Sequence, residues 1–127
     1  MGSESYHEPY EQLSEASRDM HRALTSLVEE IEAIDWYAQR AEVTTDPELR
    51  DVLLHNRGEE IEHAMMNLEW IRRHDAKFDE TIRTYLMTDV PIVAIEENVL
   101  EKGASGQMVS RTNTPVHGLG IGSLKGR

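Results

Sequence analysis

Residues 56–63 read Asn-Arg-Gly-Glu-Glu-Ile-Glu-His, and within them Glu60 and His63 stand three positions apart. On an α-helix, this spacing puts a carboxylate and an imidazole on one face, a single turn apart. Both side chains can then reach the same ion. The stretch therefore predicts half of a metal site.

The side of the helix that carries Glu60 and His63 is otherwise largely apolar. At about 100° per residue, one side collects Leu49, Leu53, Asn56, Glu60, His63, Ala64, Asn67, Trp70, Ile71 and His74. A carboxylate is rarely buried unless it is paired or bound to metal, so its place in an inward-facing stripe favours ligation. The bare pattern is weak, since it recurs at Glu4 and His7 without any amphipathic period. The alternative is a structural hydrogen-bonded pair between helices.

Composition limits the classes of function. A chain of 127 residues makes one small domain, and with no cysteine the ligands on offer are carboxylate and imidazole, which suit iron or manganese. The net charge of −11 argues against nucleic-acid binding. No apolar run approaches the roughly 20 residues of a membrane span, and the acidic start has no leader pattern. We expect a cytoplasmic protein that binds neither nucleic acid nor membrane.

Charge and glycine change sharply near Gly103. Residues 103–127 hold six of the eight glycines and no acidic residue, so that residues 1–102 carry a net charge of −14. This shift predicts a packed helical domain over residues 1–102 and a flexible tail over residues 103–127.

The first part of the chain predicts a long amphipathic helix over residues 9–41. Pro9 suits the first turn, and apolar residues recur at spacings of three, four and seven: Leu13, Ala16, Met20, Leu24, Leu27, Ile31, Ile34, Ala38 and Ala41. Glu30 and Tyr37 lie together at the edge of this stripe, one heptad apart. Standing alone, Glu30 would be interpreted as part of a solvated flank.

The opposite face of the same helix carries Glu29, Glu32 and Trp36. Glu29 and Glu32 repel each other at a spacing of three, and an exposed tryptophan beside them is unusual. The grouping suggests a second functional cluster, and chance is an equally weighted alternative.

A second helix is predicted over residues 46–74. Thr45-Asp46-Pro47-Glu48 matches a capping box, and the short turn before it implies an antiparallel hairpin with the first helix. A further apolar stripe, on another side, consists of Leu54, Ile61, Met65 and Leu68. One hairpin covers only one stripe, so we infer that a second chain covers the other.

Two shorter helical segments are predicted after the hairpin. The first starts at a cap on Asp75 and runs to about Met87, and the second runs from Pro91 to Leu100. The predicted fold is therefore all-α, with a two-helix hairpin followed by short C-terminal helical structure.

One chain supplies half of a di-iron ligand set. A ferritin-like di-iron bundle takes a Glu from each of two helices and a Glu-x-x-His from each of two others. This chain provides one single Glu, Glu30 on the first helix, and one Glu-x-x-His pair, Glu60 and His63 on the second. Two copies about a two-fold axis complete the set, in agreement with the uncovered stripe. Their four carboxylates also balance the charge of two ferrous ions, so we expect metal binding and assembly to be coupled.

Two stretches now resemble the encapsulated ferritins: residues 29–37, Glu-Glu-Ile-Glu-Ala-Ile-Asp-Trp-Tyr, and residues 55–63, His-Asn-Arg-Gly-Glu-Glu-Ile-Glu-His. The resemblance runs from about Glu8 to Pro91 and reappears in residues 119–126, Leu-Gly-Ile-Gly-Ser-Leu-Lys-Gly. It implies a two-helix subunit that forms a ferritin-like four-helix bundle by dimerising, and dimers that close into a ring-shaped decamer.

The resemblance also implies roles for individual residues. The expected ferroxidase ligands of a di-iron centre are Glu30, Glu60 and His63, with Tyr37 beside them. A second metal site, on the route by which iron reaches the centre, is expected at Glu29, Glu32 and Trp36. Iron is the expected cofactor, and other divalent metals, calcium among them, suit these ligands in crystals. Gly58 departs from the acidic residue typical of its position, which affects a local contact but none of the ligands.

In the encapsulated ferritins, the active assembly oxidises ferrous iron with dioxygen but is not a closed cage. The ferric product is stored inside an encapsulin shell, and Leu119–Gly126 resembles the signal that directs the protein there. Leu119, Ile121 and Leu124 are apolar anchors on a glycine-spaced segment, able to dock in a groove of a partner. An ordinary disordered tail is the alternative.

Two other functions are compatible with the sequence. A non-catalytic helical scaffold would use Glu60 and His63 as a structural pair, but such a pair needs no third ligand like Glu30. A rubrerythrin-like protein would use the same di-iron centre to reduce peroxide, although the cysteine-based iron site of rubrerythrins is missing here. A ferroxidase is the preferred hypothesis.

Overall fold

A computed structural model describes residues 5–105, which are helical and contain no strand. A 3₁₀ turn at Tyr10–Gln12 precedes four α-helices: α1 (Glu15–Val43), α2 (Pro47–His74), α3 (Ala76–Tyr85) and α4 (Ile92–Ser105). The all-α fold is as predicted. Within the described range, no helix combines the length and the apolar composition that crossing a membrane requires.

The first helix starts later than predicted. The periodicity indicated a helix from residue 9, but a 3₁₀ turn ends at Gln12 and α1 begins at Glu15. Ser14 is extended and its hydroxyl accepts a hydrogen bond from the amide of Ser17, which satisfies one of the unpaired donors at the helix start. The capping side chain of Ser14, and not the apolar periodicity, therefore marks the start of the helix.

The second helix begins at the predicted place, but with a different cap. The side chain of Asp46, and not that of Thr45, accepts hydrogen bonds from the amides of Glu48 and Leu49. Pro47 fills the first helical position, where no amide donor is needed. The cap fixes the start of α2, and only three residues separate it from the end of α1, so the two helices fold back on each other.

Arg50 links the two helices at the turn of this hairpin. The guanidinium of Arg50 donates from Nε to the carbonyl of Ala41 at 3.1 Å and from Nη2 to the carbonyl of Thr44 at 2.5 Å. The last turn of an α-helix leaves its carbonyls without partners, and a cation is favoured there. Arg50 therefore holds α2 against the end of α1.

The hairpin has a small core. Ala41 of α1 and Ala64 and Ile71 of α2 are buried along the line of contact between the helices. Large apolar side chains stay exposed on one side of that line, and we call this side the apolar flank: Leu24, Val28, Ile31, Leu54 and Met65. Leu54 and Met65 belong to the second stripe predicted from the sequence, while Ile61 and Leu68 of that stripe are half-buried.

The apolar flank and the predicted metal ligands lie on opposite sides of the hairpin. Counting about 100° per residue from the buried Ala64, Leu54 and Met65 fall to one side and His63 falls to the other. On two antiparallel helices that face each other, side chains offset from the contact line by the same angle in the same sense lie on the same side of the pair. Ile31 therefore lies on the same side as Leu54. The sequence suggested that one dimer contact both completes the metal site and covers the stripe. In the single chain, the ligands and the stripe lie on different sides of the hairpin.

The chain divides into two compact units, with the boundary in the sequence after Ala76. In the second unit, Tyr85 ends α3 and Met87 adopts a left-handed conformation with φ of 59°, unusual for a residue other than glycine. Helix α4 continues through Gly103 to Ser105, beyond the end predicted at Leu100. The predicted tail motif at residues 119–126 lies outside the described residues.

Replacing Gly58 with alanine should stabilise the protein. Gly58 lies inside α2, and a Cβ added there meets no atom within 4 Å. Since glycine costs a helix interior about 0.5–1 kcal/mol relative to alanine, we expect a gain of that size in the free energy of unfolding. Denaturant unfolding measures it. Gly103→Ala near the end of α4 is the control and should gain less, and a loss at Gly58 would mean that another molecule approaches there.

Candidate metal centre

Two helices bring three ligating groups together. Glu30 of α1 and Glu60 and His63 of α2 each offer one ligand atom, and these atoms lie within 4.8 Å of one another. Because the hairpin is antiparallel, Glu30 in the middle of α1 comes to lie opposite Glu60 in the middle of α2. The spacing of three places His63 one turn beyond Glu60 on α2.

The imidazole lies close to both carboxylates. His63 Nδ1 is 3.0 Å from Glu60 Oε1, within hydrogen-bonding distance, and 3.8 Å from Glu30 Oε2. The side chains of Glu30 and Glu60 retain 25% and 22% of their exposure, and that of His63 retains 46%. The group is therefore open to solvent or to another molecule on the side where His63 lies.

The electrostatics favour a cation at this point. Burial, a hydrogen bond with Glu60 and the charge of Glu60 raise the pKa of Glu30. The hydrogen bond with Glu60 and the nearby carboxylates raise the pKa of His63, against a smaller lowering by burial. Two carboxylates at this distance destabilise each other's charged form, and either a proton or a metal ion relieves that.

The donor set suits ferrous iron or a similar ion. Two carboxylate oxygens and one imidazole nitrogen are the ligands that non-haem iron and manganese take in proteins. The ligand atoms of the three side chains converge from two helices, as binding of one ion requires. Three groups are half of the set that a ferritin-like di-iron centre needs.

The other predicted site residues lie outside this group of three. Glu29 and Glu32 are exposed on α1, and Trp36 is 50% exposed beside a shallow cavity of about 280 Å³, which it lines with Gln39 and Arg40. Tyr37 is half-buried, and the guanidinium of Arg40 lies 5.5 Å from its ring centroid. The single chain thus places Glu29, Glu32 and Trp36, which we call the outer cluster, on an open surface.

The sequence singled out every member of the group of three that residues 5–105 bring together. It overestimated how far they are buried, because the stripe that carries Glu60 and His63 was taken to face inward along its whole width. Ala64 and Ile71 at its centre are buried, whereas Leu49, His63 and His74 at its edge are exposed. Only the centre of the stripe meets α1.

Comparisons with known proteins agree on one family. The family model described as EncFtn-like matches residues 5–89. An encapsulated ferritin-like protein of Rhodospirillum rubrum is 52% identical over 126 residues, which cover 98% of this chain and 90% of that protein. A ferritin-like protein of Thermotoga maritima is 55% identical over 95 residues, or 75% of this chain and 83% of that protein.

A solved structure supports the fold. The crystal structure of protein ne0167 from Nitrosomonas europaea superposes with a TM-score of 0.68 at 55% sequence identity, covering 69% of this chain and 97% of that chain. About two thirds of this chain thus shares its fold with a protein of known structure.

Proposed function

Because this chain belongs to the EncFtn-like family, we propose that it is a ferroxidase, which oxidises Fe(II) to Fe(III) with dioxygen at a centre shared between two subunits. The observation that carries the proposal is the convergence of Glu30, Glu60 and His63 from two helices, with ligand atoms within 4.8 Å of one another. A structural pair would account for Glu60 and His63, but not for the third group.

The centre is shared because one chain is incomplete. Two copies meeting across the side that carries His63 bring together four carboxylates and two imidazoles, the ligand set of a ferritin-like di-iron site. The four carboxylates bring a charge of −4, which two ferrous ions balance. We therefore expect the metal to stabilise the dimer, and dimers to associate further into the ring-shaped decamer that the sequence suggests.

Iron is here the substrate, and the side chains determine how it is held. The carboxylates of Glu30 and Glu60 stabilise the higher charge of the ferric product more than that of the ferrous ion, which favours loss of the electron that dioxygen accepts. His63 provides a neutral ligand on the open side. Tyr37 lies on the same helix as Glu30, two turns further on, and we assign it a place beside the centre.

The ferric product needs a separate storage compartment, because a ring-shaped assembly does not enclose it. The relative in Rhodospirillum rubrum is named as encapsulated. We assign the same destination to this chain, the lumen of an encapsulin shell, and the docking role to Leu119–Gly126. The apolar side chains of Leu119, Ile121 and Leu124 are separated by glycine and serine, as expected of a segment that docks through a few anchors.

The outer cluster should set the rate of iron uptake. Glu29, Glu32 and Trp36 are exposed, so their carboxylates stay solvated and can pass cations along without holding them tightly. Glu32→Ala should slow the initial rate of oxidation about 2- to 10-fold at low iron, since it removes one charge of a steering surface. Stopped-flow absorbance measures this, with Glu11→Ala as a control of equal charge. If the group of Glu30, Glu60 and His63 no longer bound iron in the Glu32→Ala protein, the assignment of Glu32 to iron uptake would be wrong.

One experiment tests the function as a whole. Ferrous iron is added to the protein without oxygen, air is then admitted, and the ferric absorbance is followed at several protein concentrations. A shared centre predicts that the rate per chain falls on dilution, as dimers dissociate. No ferric absorbance above that of a Glu30→Ala control would favour the scaffold, and turnover of peroxide in preference to dioxygen would favour the peroxidase.

A further inference from the structure

Asn67 is a half-buried side chain of α2, and its amide makes no hydrogen bond within the described part of the chain. An amide offers two donors and two acceptor lone pairs, and groups withdrawn from water normally satisfy part of them. Two of its neighbours one turn away on α2, Ala64 and Ile71, are buried and apolar. A third, Trp70, stacks on an imidazole further along the helix. The polar neighbour left to Asn67 on its own helix is the fourth, His63.

A hydrogen bond keeps the hydrogen of His63 on the nitrogen that faces the other two ligands. Nδ1 lies 3.0 Å from Glu60 Oε1 and 3.8 Å from Glu30 Oε2. Because an ionised carboxylate only accepts hydrogen bonds, Nδ1 carries the hydrogen in this contact, and a ring nitrogen that carries a hydrogen has no lone pair for a metal ion. Ligation through Nδ1 therefore requires the neutral imidazole to carry its hydrogen on Nε2. That nitrogen makes no hydrogen bond within residues 5–105.

The side chain of Asn67 is placed to accept a hydrogen bond from Nε2. Side chains of a helix lean toward its N-terminus, so Asn67 reaches back over the turn that carries His63, four residues earlier. The same helix shows this pairing at His55, whose Nε2 lies 3.3 Å from the carboxylate of Glu59, four residues later. Glu59 also lies four residues from His63, but it leans away and is already engaged by His55.

We propose that Asn67 is a positioning residue of the metal centre. Its Oδ1 accepts a hydrogen bond from Nε2 of His63 and so favours the tautomer whose Nδ1 binds the ion. This inference rests on the proposed function, and it follows the general rule that a metal-bound imidazole donates its other N–H to an acceptor that fixes the ring. A neutral amide supplies the acceptor without adding charge, so two copies keep the four carboxylates that balance two ferrous ions.

The test measures metal binding in the full chain without any turnover. Co(II) is titrated and followed by its visible absorbance. Asn67→Leu removes the acceptor at similar volume, and the affinity for Co(II) should fall about 10- to 100-fold. Asn67→Asp restores the acceptor and should bind Co(II) at least as tightly as wild type. Asn98→Leu, at an exposed asparagine of α4, is the matched control and should leave the affinity unchanged.

A second measurement reports the hydrogen bond itself. In the protein loaded with Zn(II), nitrogen-15 NMR of the imidazole shows which ring nitrogen carries the hydrogen and how fast that hydrogen exchanges with water. We expect an Nε2–H of His63 that exchanges slowly in wild type and in Asn67→Asp, and faster in Asn67→Leu. A residue that only packs against the helix would change neither the tautomer nor the exchange rate.

The outcomes distinguish this inference from the ferroxidase proposal. Unchanged Co(II) affinity and exchange in Asn67→Leu overturn the inference, and so do equal losses in Asn67→Leu and Asn67→Asp, which would mark a packing role. Should Asn67→Leu not fold, Asn67→Ala removes the same acceptor and carries the same expectation. Wild type that binds Co(II) through His63, with the expected effects at Asn67 but no ferric absorbance with iron, supports the inference and contradicts the ferroxidase. Wild type that does not bind Co(II) overturns both.

Discussion

The Glu60→Gln protein should lose ferroxidase activity, while its metal-free dimer becomes more stable than that of wild type. In the proposed dimer, the carboxylate of Glu60 meets its own symmetry copy across the two-fold axis, about 5 Å away. At that distance and an effective dielectric constant of about 20, two full charges repel by about 3 kcal/mol, less where solvent screens them. Two copies that share the centre bring four such charges together, and metal normally offsets the repulsion.

Glutamine keeps the shape and part of the hydrogen bonding of Glu60 but removes its charge. Replacing a residue that merely supports a ligand already costs about 10- to 100-fold, so losing a ligand should cost at least about 100-fold in activity. In the metal-free dimer, the number of carboxylates at the centre falls from four to two. Association should therefore become tighter, which a structural pair would not predict.

Sedimentation of metal-free protein over a dilution series, beside an iron oxidation assay, measures both effects. His63→Ala is the matched control, since it removes a ligand one turn further along α2 but no negative charge. It should lose activity without tighter association. An inactive Glu60→Gln protein that is more monomeric than wild type would show that Glu60 does not approach its symmetry copy, and the shared centre would be ruled out.

Deleting Leu119 to Arg127 should abolish co-purification with the encapsulin shell and leave iron oxidation intact. The deleted residues lie beyond the helices that carry the centre, and they carry the apolar anchors assigned to docking. Because the recognition of a short segment rests on a few side chains, its loss is expected to be complete and not gradual.

Co-expression with the shell protein, followed by purification of intact shells, measures the first effect, and the oxidation assay measures the second. Replacing Leu119, Ile121 and Leu124 with serine should reproduce the loss of co-purification at full length, whereas removal of Arg127 alone should not. Lost oxidation in the truncated protein would mean that the tail takes part in the centre, and the separation of the two roles would be wrong.

The amino-acid sequence by itself determined the helices of the hairpin and the three groups that converge. A period of 3.6 residues is local, so Leu53, Ala64 and Ile71 mark the inward side of α2 before any fold is known. Asp46 and Pro47 likewise fix the start of α2 through neighbouring atoms alone. The spacing of Glu60 and His63 is a property of one helix, and Glu30 follows from antiparallel pairing in the same register.

Only the tertiary structure decided which side of the hairpin each feature occupies. Whether Leu54 and His63 share a side depends on where the contact line between α1 and α2 runs, and that line is set by the packing of Ala41, Ala64 and Ile71. The sequence analysis missed Arg57, which falls on the helix side nearest α1, because an arginine on a long helix usually extends to solvent. Its unpaired Nε is visible only once α1 is packed against it. Burial is a property of two elements together, and a pattern within one element does not contain it.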